Sequence, residues 1–144
     1  MPVFRSLQLH SFSKMRQHIG FVTLLVRDYD EAIDFYTQML GFRVIEDTRV
    51  SIDKRWVVVS PEGENGTCLL LTKATTQAQA DRIGDQTGGR VFLFLHTDDF
   101  WRDYKEMRSS GVHFTETPRQ EPYGSVAVFT DLYGNRWDLL ELRA

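Results

Sequence analysis

The chain repeats itself, and that repeat limits its fold more than any other feature. The stretch "VTLLVRDYDEAIDFYTQMLGFRV" begins at Val22, and "VFLFLHTDDFWRDYKEMRSSGVHF" begins at Val91. Each opens on a short apolar run, meets an aspartate, passes through a helical pattern and stops at glycine. Gly41 comes thirteen positions after Asp28, and Gly111 thirteen positions after Asp98. Aromatic residues follow the aspartate at matching places, Phe35 and Tyr36 in one copy and Tyr104 in the other. A repeat of this length means two similar modules, each with an apolar face that its neighbour must help to bury.

The local chemistry predicts strand, helix and strand in both copies. "FVTLLV" and "VFLFL" are β-branched and aromatic runs of strand length. Asp28 or Asp30, and Asp98 or Asp99, suit a helix N-cap, because a carboxylate accepts the free N–H groups of the first turn. Gly41 and Gly111 can take the left-handed conformation that ends a helix. Further strands follow: "FRVIED", "RWVVVS" and "TCLLLTK", then "VHFTETP", "SVAVFTD" and "RWDLLEL". "PEGENG" and "DLYGN" read as the hairpin turns before the last strand of each copy. Each module is therefore βαβββ. The expected organisation is an extension over residues 1–18, a first module over 19–73, a polar linker over 74–90 and a second module over 91–144. The fold class is α+β, with eight strands and two principal helices.

Bulk properties exclude several functions. The formal charge of −3 and the lack of a basic cluster argue against nucleic acid. No run of eighteen apolar residues predicts a membrane span. A single cysteine, Cys68, allows no intramolecular disulfide and suits a reducing compartment, so a cytoplasmic location is expected.

The motifs "VRDYDEAIDFYTQMLGF" and "FTDLYGNRWDLLEL", together with the paired modules, resemble the vicinal oxygen chelate superfamily. This group includes glyoxalase I, fosfomycin-resistance proteins, extradiol dioxygenases and bleomycin-resistance proteins. The resemblance spans residues 19–142. It implies a U-shaped, mostly antiparallel eight-stranded sheet with helices on the outer face and a site on the concave face. It also implies a homodimer, and in most enzymes of the group a divalent metal.

The metal expectation fails on the residues present. The resemblance places one donor on the first and one on the last strand of each module, at Phe21, Leu70, Phe92 and Asp138. Only Asp138 can donate, and a lone carboxylate cannot hold a catalytic divalent ion against water. Shifting any strand by one residue introduces no new ligand.

Strand alternation predicts which residues share the concave face. They are Phe21, Thr23, Leu70, Thr72, Phe92, Phe94, His96 and Asp138, with Trp56 or Val57 from a neighbouring strand and Tyr123 at a bordering turn. This is an apolar, aromatic surface with a few polar points, as small-molecule sites usually are. The aromatics either floor a pocket or simply fill it. Asp138 either meets a ligand or pairs with Arg136, Arg90 or a backbone N–H, since an unpaired acid in an apolar cleft is costly. His96 either touches a ligand or stands as an ordinary strand-end histidine.

The expected function is binding of a small organic molecule in the cleft, in the manner of bleomycin-resistance proteins and without a metal cofactor. One alternative is a glyoxalase-type lyase or isomerase, or a dioxygenase-like enzyme, with Asp138 and His96 as acid–base groups and Zn, Ni, Mn or Fe as cofactor. Another is a dimeric interaction protein whose cleft is plugged by its own aromatics.

Overall fold

The computed structural model describes residues 15–63 and 66–144. Most of the expected extension, and part of the "PEGENG" turn, lie outside the described residues.

The first module opens with β1 (Phe21–Val26). Asp28 then caps helix α1 (Tyr29–Asp34), its carboxylate accepting the Glu31 N–H at 2.9 Å. Helix α1 widens into a π turn over Phe35–Met39 and ends at Gly41, whose φ of 75° is open to glycine at little cost. Strands β2 (Arg43–Arg49), β3 (Arg55–Ser60) and β4 (Cys68–Lys73) follow. They form a four-stranded sheet in the order β1-β4-β3-β2, parallel between β1 and β4 and antiparallel elsewhere.

The connecting segment holds one short helix, α2 (Gln77–Ala80). It also carries Gln86, whose amide donates to the Thr23 carbonyl at 3.0 Å and accepts the Leu25 N–H. One side chain thus satisfies part of the free edge of β1, which would otherwise leave backbone groups unpaired.

The second module repeats the plan. Its elements are β5 (Val91–His96), α3 (Phe100–Ser109), β6 (His113–Phe114), β7 (Arg119–Glu121), β8 (Gly124–Thr130) and β9 (Arg136–Leu142). Asp99 caps α3, and Gly111 ends it at φ 102°. The strand order is β5-β9-β8-β6, with β7 also paired to β8. Again the first and last strands are parallel.

The α+β class, the paired modules and the outer helices follow the sequence reading. The ladder differs in detail. The described strands form two sheets of four and five, because the expected "VHFTETP" strand is cut short to β6 ahead of Pro118 and the following Arg119–Glu121 adds β7. One apolar core joins the modules. Leu24, Val26, Val57, Val59, Leu69 and Leu71 enter it from the first sheet. Ala127, Phe129, Trp137 and Leu139 enter from the second, with Tyr36 and Phe42 between them. No helix among the described residues is long and apolar enough to cross a membrane.

Candidate functional site

The core takes one face of each sheet, and most of the expected site residues lie on the other. On the first sheet the register aligns Thr23, Leu70 and Val58 across three strands. On the second it aligns Phe94, Asp138 and Val128. These rows occupy equivalent places in the two modules, so Asp138 stands where the first module has Leu70. The substitution of a carboxylate for a leucine is the main chemical difference between the two faces.

Asp138 lies mid-strand on β9, flanked by Phe94 on β5 and Val128 on β8. Its Oδ1 is buried and has no hydrogen-bond partner among the described residues. Desolvation pushes its carboxyl above the usual carboxylate range. The positive charges of Arg119 and Arg136 oppose that rise, and the negative charge of Glu116 adds to it. Arg136, one expected partner, donates instead to the Gly89 carbonyl at 3.1 Å.

Arg119 and Glu116 were missed from the sequence. Arg119 pairs in register with Val126, which shares the face of Val128 and Asp138. Its guanidinium bonds Glu116 at 2.8 Å and also Glu121. The available signal was the spacing of "ETPRQE", which alternates charges along an extended chain. The strand reading stopped at Pro118 and left Arg119 unplaced until β7 set it against β8.

Most of the expected residues do share the open faces. Phe21 is 50% exposed and meets Trp56 edge to face, with ring centroids 5.9 Å apart. This resolves the parity of β3 in favour of Trp56, while Val57 enters the core. Thr23 is exposed, and Leu70 and Thr72 are half-buried on the same face. Phe94 is 56% exposed, and His96 is exposed opposite Leu140. Tyr123 stands 49% exposed in the turn between β7 and β8.

Phe92 does not join them. The β5–β9 register slips between Val91 and Leu93, and the extra residue turns Phe92 toward the core. Its ring packs edge-on to Trp137 at 6.3 Å. Val91, expected under the helices, pairs instead with Arg136. Simple alternation could not detect this bulge.

The side chains nearest Asp138 in register are Phe94 and Val128, which cannot donate. Among the described residues, no three His, Cys, Asp or Glu side chains converge. His96 and Asp138 share a face but lie on different rows.

A cavity of about 750 Å³ lies elsewhere, at the seam between the modules. It runs between the end of α1, the turn after β3, the end of β5 and α3, and includes His96 but not Asp138. Asp138 lies on the sheet face opposite the core, where Phe94 is exposed but Val126, Val128 and Leu140 are buried.

Comparison with known proteins agrees with this architecture. A protein of Shewanella frigidimarina (strain NCIMB 400) that carries no functional description is 60% identical over 129 residues, covering 89% of this chain and 96% of its own. The crystal structure of UcmS2 superposes with a TM-score of 0.76 at 33% identity, covering 88% of this chain and 98% of that one. TnmS3, an antibiotic binding protein from Streptomyces sp. CB03234, gives 0.73 at 28% identity, covering 89% and 98%. Residues 18–139 match the family profile, so the chain belongs to the Glyoxalase/Bleomycin resistance protein/Dioxygenase superfamily.

Proposed function

We propose that this protein binds a small, partly apolar organic molecule on the face of its sheets opposite the core, without a metal and without making bonds. One observation carries the reading: the buried Oδ1 of Asp138 lacks a partner among the described residues, on a face otherwise lined by Phe94, Val128 and Leu140. A buried carboxylate oxygen without a donor is costly, and a ligand hydroxyl or N–H would satisfy it. The exposed rings of Phe21, Trp56 and Phe94 supply apolar and stacking area around it. The antibiotic-binding activity of TnmS3 supports the same class of function here. The half-exposed Phe21 and Phe94 also favour a homodimer in which a second copy covers this face.

The test is a titration of the protein with a panel of aromatic antibiotics, followed through tryptophan fluorescence. The tightest ligand is then repeated with Asp138→Ala. Loss of one hydrogen bond to a charged group should weaken binding about ten- to a hundredfold. Circular dichroism should remain unchanged. Unaltered affinity in the variant would sink the reading.

A second reading, a glyoxalase-type lyase or isomerase, is favoured by the raised Asp138 carboxyl, which suits an acid–base group. Turnover of a hemithioacetal that vanishes with Asp138→Asn would replace the first reading with this one.

A further inference from the structure

We propose that the seam cavity is a second ligand site, separate from the Asp138 face, and that it takes a small organic cation with an apolar body. Its volume of about 750 Å³ is in the range of sites that enclose small molecules. Its apolar lining comes from both modules: Met39, Leu40 and Phe42 from the first, Leu95 and Met107 from the second. Two methionines make this wall adaptable and polarizable.

The lining carries an excess of negative charge. Glu62, Asp98, Asp103 and Glu106 belong to it, against one guanidinium, that of Arg102. Arg102 is already engaged by Asp98 and Asp103, each at 2.9 Å. Glu62 lies 3.3 Å from Arg43, outside the cavity lining, and Glu106 stands outside these pairs. Two helix ends add to the field. Leu40 closes the π turn of α1 and Ser110 closes α3, and both residues line the cavity. A helix C-terminus carries partial negative charge, so both ends favour a cation. An anionic ligand would meet this charge unfavourably, and a neutral one would leave it unused.

Both modules contribute walls, so an occupant would bridge α1 and α3. His96 at the end of β5 is shared with the Asp138 face, but Asp138, Phe94, Phe21 and Trp56 are not part of the lining. The two sites can therefore fail independently.

The experiment is an amide-resolved NMR titration of the full chain with benzylamine, which is cationic at neutral pH, alongside benzyl alcohol as its neutral counterpart. The expected result is saturable shifts at Gln38, Gly41, His96, Thr97 and Ser110 with the amine, and much weaker shifts with the alcohol. Glu62→Gln combined with Glu106→Gln should weaken amine binding about three- to tenfold, as expected for two partly exposed charges. Asp138→Ala should leave it unchanged. Equal binding of the alcohol, shifts confined to other surfaces, or full affinity in the double variant would overturn the proposal.

Discussion

Tyr36 Oη donates to Asp131 Oδ2 at 2.7 Å, and both residues are buried. The bond ties helix α1 of the first module to the β8–β9 turn of the second. Asp131 also accepts from Asn135 Nδ2 at 3.0 Å and from the Tyr133 and Asn135 N–H groups. Burial, together with the negative charge of Asp131, holds the Tyr36 hydroxyl well above its usual range, so it stays protonated and donating. Tyr36→Phe should therefore cost about 1.5 to 3 kcal/mol, the usual worth of a hydrogen bond to a charged group. Urea unfolding would measure it. Because the lost bond joins the modules, the two should remain coupled only if the shared apolar core suffices.

Asp138 should make stability depend on pH in the direction opposite to most carboxylates. Its folded carboxyl is raised, so between the ordinary carboxylate range and the folded value the native state binds more protons than the unfolded one. Stability then falls as pH rises through that window, and the cost is fully present above it. Asp138→Asn should raise the urea midpoint at neutral pH, with the gain fading as pH falls through that window and gone below about 4. Arg119→Gln should raise the Asp138 carboxyl further, because Arg119 opposes its rise. A carbon-detected NMR titration of the side chain would follow both effects. A midpoint gain in Asp138→Asn that is the same at every pH would contradict the linkage.

The fold was legible because the strongest signals were local and came twice. Asp28 and Asp99 cap helices in both modules, and Gly41 and Gly111 end them. Those choices depend only on neighbours in the chain. The site was less legible because it depends on register between distant strands. The bulge at Phe92 moved one predicted residue to the other face. Arg119 came beside Asp138 only through pairing of β7 with β8. The π turn at Phe35–Met39 left no sequence signal beyond an ordinary helical pattern, yet the residues it carries join both sheets. The seam cavity was invisible for the same reason, since its walls come from segments far apart in sequence.

Two glycines of the linker should respond differently to the same substitution. Gly84 and Gly88 both have positive φ, 80° and 67°. A Cβ on Gly88 would meet open space, whereas one on Gly84 would lie 2.0 Å from the Tyr133 carbonyl oxygen. Gly88→Ala should cost about 1 to 2 kcal/mol, the usual left-handed penalty. Gly84→Ala adds a backbone clash and should cost clearly more, by moving the linker off the β8–β9 turn. Thermal unfolding of the two variants side by side would decide it, and equal losses would mean that the linker yields freely.

Phe94 should report on self-association. Its ring is 56% exposed on the Asp138 face and lies outside the shared core. Replacing it should therefore spare the fold, because little native burial is lost. A second copy covering this face would bury the ring, and a charge there would then be left without solvent or partner. Sedimentation equilibrium should find a dimer for the unaltered protein and a shift toward monomer for Phe94→Asp, with far-ultraviolet circular dichroism unchanged. A dimer that persists in the variant would place the interface elsewhere. A protein that stays monomeric at all concentrations would leave Phe94 open to the ligand alone.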